Sequence, residues 1–266
     1  MVRYLREGDV QQLITMPLAL DLVQQALKAH AEHRALDVPR ARIHLPTGTQ
    51  HVLQAAAPEL KLIGFKYYYT RPTGKSFYVH LMNTESARLE GIIEAIWMSM
   101  VRTGAASGVA TRHLAREDAS TVGQIGTGFQ AIGQLEAVCQ VRKIRKARVF
   151  ARNRERLEAF CKTMSQRLGI EVSPAASAQA AVQGADIVNV ITKSATPVLA
   201  GEWLEPGQHI NAADSNAALR FTSGNLFSTG GAIDETDEAS FTVKPAMQGC
   251  VKCGTDFHFF HVLMAR

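Results

Sequence analysis

Apolar residues recur with a helical period over 16–35, MPLALDLVQQALKAHAEHRA, where Leu20, Val23, Leu27 and Ala31 fall on one face. Thr15 is placed to cap that helix, and Pro17 suits its first turn. From 51 to 97 the period shortens. HVLQAAA, LKLIGFKYYY, FYVHLMN and LEGIIEAIW read as strands, divided by Pro58, the RPTG stretch and NTES. MSMVRTGAASGVATRHLA follows, and its many small residues suit a helix packed closely against a neighbour. Beyond Asp118 the pattern becomes regular. TVGQIG, KARVFA, DIVNVIT and QHINAA are apolar strands, while AIGQLEAVCQVRK and RERLEAFCKTMSQRL are helices. Strands alternating with helices at this spacing predict an α/β fold with a parallel sheet covered on both faces. The change of pattern near Arg116 to Ser120 separates 1–117 from 118–220, and the loss of any sustained period sets off a tail, 221–266.

Composition narrows the class. At 266 residues the chain is long enough for two medium domains, each with its own core. Hydrophobic residues at 46% and charged residues at 20% are ordinary for a globular protein. The net charge of +5 is scattered through helical stretches, with no basic run interleaved with aromatics. It favours small anions and argues against nucleic acid as a partner. The start, MVRYLREGDVQQL, lacks a signal-peptide apolar stretch, and no segment approaches a membrane span in length. Cys139 and Cys161 sit in apolar helical patterns, as buried thiols in a reducing compartment do. The cytoplasm is the expected location.

The run VGQIGTGFQA, Val122 to Ala131, carries the first candidate chemistry. A glycine triplet alone marks many turns, but this one follows a strand and opens a helix inside a βαβ unit. Gly126 permits the tight turn, Gly128 lets the backbone approach a pyrophosphate, and Ala131 stands where helix and strand pack closely. The helix N-terminus offers N–H groups and partial positive charge to phosphates. Thr127 and Gln130 complete the turn. An acidic residue at the end of the second strand would select NAD, and an arginine there NADP. ARVFARNRER has Arg152, Asn153 and Arg154 before any carboxylate, so NADP is favoured and NAD is the alternative cofactor.

With these residues in view, the chain resembles the ornithine cyclodeaminase/mu-crystallin family. The match rests on YLREGDV, VPRARIHL, GFK, VRTGAASGVATRHLA, GQIGTGFQA, FARNRERLEAF, GADIVNVIT and PVLAGEWLEPGQHINA. The resemblance implies an N-terminal α/β substrate and dimerisation domain followed by a Rossmann-type domain. It also implies a homodimer acting through NAD(P) on a small amino or imino acid. Carried over residue by residue, it assigns a substrate carboxylate to Arg42, Lys66 and Arg102, with Arg40 competing for the place of Arg42. Lys66 lies inside the apolar strand LIGFKYYY, where an ammonium must be paired, neutralised or turned outward. The resemblance also puts Thr192 and Asn216 against the cofactor.

The expected chemistry is hydride transfer between nicotinamide and the carbon bearing nitrogen. Cyclodeaminases of the family carry an aspartate after the HINA strand that handles the proton on nitrogen. Here HINAADSN puts Asn216 at that position and Asp214 where a glycine is usual. Asp214 is the candidate to stand in as the catalytic acid. This departure points to reduction of a cyclic imino acid such as Δ1-pyrroline-2-carboxylate. Conversion of ornithine to proline is the alternative, and so is a cofactor-binding homologue without turnover. A basic interaction protein has only its charge in favour.

After Leu219 the resemblance stops. The remaining residues are rich in Gly, Ser and Thr without a sustained period, and read as a divergent or truncated tail. Such a tail is expected to leave a sheet edge open and the protein poorly stable or inactive. Cys250, Cys253, His258 and His261 form a CxxC and a histidine pair, but the spacer usual between zinc half-sites is missing, so no metal is expected.

Overall fold

The computed structural model describes residues 1–194, 196–213, 219–220 and 259–263. It divides into two compact units, Met1–Arg102 and Thr103–Arg266. The division falls inside one helix, whereas the change of sequence pattern comes at that helix's far end.

The first unit begins with β1 (Arg3–Leu5), α1 (Glu7–Leu13) and α2 (Met16–Ala31). Thr15 caps α2, its side chain accepting from the Leu18 amide as the sequence predicts. Then come β2 (Leu36–Leu45), β3 (Gly48–Ala57), β4 (Leu62–Arg71), β5 (Gly74–Asn83) and β6 (Leu89–Glu94). They form a sheet in the order β1-β6-β5-β4-β3-β2, antiparallel apart from β1, which runs parallel to β6. β2 lacks a legible period because it is an edge strand carrying Pro39, with a bulge between Val38 and Ala41. The bulge resets register so that Leu36 and Val38 before it share one face with Ile43 and Leu45 after it.

The LEGIIEAIW strand stops earlier than its apolar pattern suggests. Helix α3 (Ile96–Leu114) has already begun at Ile96, where the Glu7 carboxylate accepts from the Ile96 and Trp97 amides. A carboxylate on these otherwise unbonded N–H groups stabilises the helix start.

In the second unit β7 (Thr121–Ile125), α4 (Phe129–Val141), β8 (Lys146–Phe150), α5 (Arg154–Leu168), β9 (Glu171–Pro174), α6 (Ala178–Val182), β10 (Ile187–Ile191), β11 (Leu199–Ala200) and β12 (His209–Ala213) follow in order. β13 (Leu219–Arg220) pairs with β11, and β14 (Phe259–Leu263) joins the main sheet. That sheet runs β14-β12-β10-β7-β8-β9, parallel except for antiparallel β14. The alternating pattern after Asp118 thus produces the expected parallel sheet. The edge expected to be open is instead covered at β12 by β14, whose backbone pairs antiparallel with it along its whole length. The rest of the tail, with Cys250, Cys253 and His258, lies outside the described residues.

Small residues on α3 serve close packing. Ala105, Ala106, Val109 and Ala110 are buried, and a β-carbon at Gly104 would run into the backbone of Gly133 on α4. The buried Gln134 amide, on the same helix as Gly133, donates to the Thr103 carbonyl at 3.2 Å. Arg142 then closes the end of α3, its guanidinium donating to the carbonyls of Arg112, Ala115 and Arg116. Replacing Gly104 with alanine forces these backbones apart, and a loss of about 1–3 kcal/mol is expected in urea unfolding. A change below half a kilocalorie would show that the helices do not need this approach.

Candidate functional site

The turn between β7 and α4 is built as a phosphate cradle requires. Gly126 has φ +113°, and a β-carbon there would strike the Ile191 carbonyl at the end of β10. Its amide donates to the Phe150 carbonyl at 2.8 Å, tying the turn to the end of β8. Gly128 is the N-cap of α4 and makes no side-chain cap bond. Among the described residues no atom beyond its own chain neighbours lies within 4 Å of where its β-carbon would stand, which leaves room beside the first turn of α4. Ala131 is fully buried, as its close-packing role demands. The Gln130 side-chain oxygen is buried and has no hydrogen-bond partner among the described residues. Thr127 is half-buried within the turn, and Thr192 is half-buried just after β10.

At the end of β8, Arg152 is exposed and Arg154 is held by Glu158 at 2.8 Å. The Asn153 side-chain oxygen caps α5 by accepting from the Arg156 amide at 2.8 Å. Capping engages one lone pair of that oxygen, and the Asn153 side-chain NH2 is a further donor for a ligand. The residues present fit a dinucleotide: backbone groups for the diphosphate, and a guanidinium in place of a carboxylate at the ribose position. Asp214 and Asn216 lie outside the described residues.

The first unit carries a separate cationic cluster. Register aligns Arg42, His51, Tyr68 and Phe77 across β2 to β5, and sets Lys66 beside them between Leu53 and Val79. His51 stacks on Tyr68 with ring centroids 4.4 Å apart, and Tyr68 on Phe77 at 4.6 Å. The Lys66 ammonium lies over the Tyr68 and Phe77 rings at 5.2 and 4.8 Å and donates to the hydroxyl of buried Ser99 on α3. One turn further along α3 comes Arg102.

Burial, then the charges of Arg102, Arg40 and Lys75, push Lys66 down to about 6. The same causes, burial first and then Arg40 and Arg42, push His51 down to about 4. Both are therefore largely neutral at pH 7. Among the described residues no carboxylate pairs with Lys66, and its lowered value corresponds to neutralisation, one of the three outcomes open to a lysine in that strand. The two arginines differ in what they reach. Arg40 acts on Lys66, whereas exposed Arg42 faces His51 and does not figure among the charges felt by Lys66.

Sequence reasoning missed His51, Tyr68, Phe77 and Ser99. Alternation in HVLQAAA, KYYY and FYV was the available signal, but which alternate residues meet depends on register. The helical thiols behave as expected of buried groups, burial pushing Cys161 up to about 11 and Cys139 up to about 12. Among the described residues no group of side chains is arranged to hold a metal ion, and no helix is long and apolar enough to cross a membrane.

A Rossmann-type sheet with a glycine turn, in a chain whose other unit bears desolvated cations, defines an α/β protein of the NAD(P)-linked oxidoreductase class. The chain belongs to the ornithine cyclodeaminase/mu-crystallin family, whose sequence profile matches residues 3–220. That match stops where the sequence pattern stops. A Δ1-pyrroline-2-carboxylate reductase of Bacillus cereus is 32% identical over 217 residues, 78% of this chain and 66% of that enzyme. The solved Δ1-pyrroline-2-carboxylate reductase of Thermococcus litoralis, in complex with NADH and L-proline, superposes with a TM-score of 0.77 at 32% identity. It covers 80% of this chain and 68% of that one. An archaeal alanine dehydrogenase dimer with bound NAD gives 0.74 at 27% identity, over 79% of this chain and 66% of that chain. The chain spans about two thirds of the length of these relatives.

Lys66 makes a prediction in pH. Its folded value, about 6, lies below the ordinary 10.5, so the unfolded chain binds the extra proton between these limits. The cost of burying the ammonium is present in full below pH 6 and is relieved as pH rises towards 10.5. Lys66→Met should therefore stabilise the protein most at acid pH, the gain shrinking through the alkaline range. Unfolding measured at several pH values checks this, and a gain independent of pH would contradict it.

Proposed function

We propose that this chain is an NADP-dependent reductase of a small cyclic imino acid such as Δ1-pyrroline-2-carboxylate, working as a cytoplasmic homodimer. The observation that carries the reading is Lys66, a lysine near 6 among arginines, in a chain that also holds a dinucleotide turn. The family relationship and the reductases among its relatives support the same reading. The residues from Asp214 to Asn216 favour it over ornithine cyclodeamination, because the aspartate expected for that chemistry is replaced by Asn216.

A bound reduced nicotinamide supplies the hydride for the imine carbon. The chain's own residues do the rest. Arg40 and Arg102 hold the substrate carboxylate, with Arg42 at the outer margin of the cluster. Lys66, able to exchange a proton near neutral pH, supplies the proton that the imine nitrogen must gain. The Gly126–Ala131 turn, with Thr127 and Gln130, receives the diphosphate, Arg152 the 2′-phosphate, and Thr192 borders the cofactor. NADP rather than NAD rests on Arg152, since the solved relatives named above carry NADH or NAD. Dimerisation is favoured by exposed Leu36, Ile63 and Met82, which register places in one row across β2 to β5.

NADPH oxidation should appear on adding Δ1-pyrroline-2-carboxylate, and Lys66→Ala should lower kcat/KM by about 100-fold or more. Ammonia release from ornithine would favour the cyclodeaminase instead, and tight NADPH binding without oxidation would leave a binding protein. Arg152→Ser should weaken NADPH binding by about 10- to 100-fold while leaving NADH nearly untouched. Equal losses for both coenzymes would remove the case for NADP.

A further inference from the structure

We propose that Gln124, Asn189, Asn211 and His209 are positioning residues for the dinucleotide turn, a head-to-tail chain of hydrogen bonds ending on the Gly126 carbonyl. The inference rests on the proposed dinucleotide binding and adds residues that the glycine motif does not contain.

All four side chains are wholly buried in a sheet otherwise filled by Val, Ile and Ala. Gln124, Asn189 and Asn211 are register partners on β7, β10 and β12, so they form one row across three parallel strands. The Gly126 carbonyl only accepts, and it takes the Gln124 side-chain N–H at 3.3 Å. The Gln124 oxygen is thereby turned to Asn189, whose side-chain N–H reaches it at 3.4 Å. The Asn189 oxygen accepts from Asn211 at 2.9 Å. The Asn211 oxygen lies 2.9 Å from His209 Nε2, which must therefore carry a proton. Asn211 also donates to the buried Thr111 hydroxyl at 3.0 Å, which anchors the row to α3. Each amide accepts on one side and donates on the other, so a single orientation satisfies the whole chain.

The consequence falls on the next residue. In a planar trans peptide the carbonyl of Gly126 and the amide of Thr127 point in opposite directions, and the chain has no cis bonds among the described residues. Fixing the carbonyl inward on Gln124 aims the Thr127 N–H outward from the sheet, as a group that meets a phosphate must point. An apolar residue at 124 would pack the sheet equally well and leave that peptide free to turn over.

The test uses the full chain and NADPH. Gln124→Met keeps the volume and removes the donor. Its Kd for NADPH should rise about tenfold, with kcat at saturating NADPH nearly unchanged. Asn189→Leu should show a smaller rise, and the double variant should add little to Gln124→Met, because the chain is already cut. Ile210→Val, buried in the same sheet but outside the row, should lower Tm and leave Kd alone. A Gln124→Met protein with lowered Tm and unchanged Kd would overturn the proposal, reducing the row to a stabilising one. Wild-type protein that binds neither NADPH nor NADH would instead overturn the functional reading, and this inference with it. Should Gln124→Met not fold, nitrogen-15 NMR of the wild type decides. His209 protonated on Nε2, with slowly exchanging Gln124 and Asn189 side-chain amides, is expected, and His209 protonated only on Nδ1 would sink the chain.

Discussion

The backbone at Gly126 lies so close to the Ile191 carbonyl that no side chain fits between them, while its amide is bonded to Phe150. Two constraints meet in one residue: a conformation with φ +113° and contact with the ends of both neighbouring strands. The sheet order explains why they meet here. β8 lies on one side of β7 and β10 on the other, so the strand order reverses at β7 and the carboxyl ends diverge around a crevice. Helix α4 starts at the mouth of that crevice with its N-terminus uncapped by any side chain. In the proposed cofactor site the second unit would present backbone dipoles and Arg152 to a polyanion, with few charged side chains required.

The first unit works by the opposite means. Its sheet brings Arg40, Arg42, Lys66 and Lys75 together with Arg102 of α3, and the Tyr68 and Phe77 rings lie against the buried amine of Lys66. Cations brought together in this way raise the energy of the unliganded protein. The Ser99 hydroxyl and two aromatic faces offset part of that cost, and the rest is expressed as the lowered affinity of Lys66 for its proton.

Much of this organisation was legible in the sequence because it is local. TVGQI, the glycine turn and the helix after it are consecutive, and Thr15 declares the start of α2 within three residues of the amide it accepts from. What could not be read depends on residues brought together from afar. β2 hides behind Pro39 and a bulge, and the charge that Arg40 exerts on Lys66 shows only once the strands are brought together. Gln124, Asn189 and Asn211 are single polar residues in three apolar runs, each unremarked until register sets them side by side. The Glu7 carboxylate at the start of α3 is another such case, invisible from either segment alone.

In the proposed reaction the arrival of substrate would reverse the field that Lys66 feels. A carboxylate seated against Arg40 and Arg102 cancels the repulsion that, after burial, keeps the amine neutral. The affinity of Lys66 for a proton would then rise on binding an anionic substrate. On that reading the amine would be a poor store of charge in the empty protein and a ready donor in the complex. Reduction of an imine needs that order of events, because a proton on nitrogen makes the adjacent carbon receptive to hydride. An acid side chain in the same place would be ionised at neutral pH in the company of so many cations, and would hold the substrate carboxylate away. A desolvated lysine among arginines satisfies both demands with one residue.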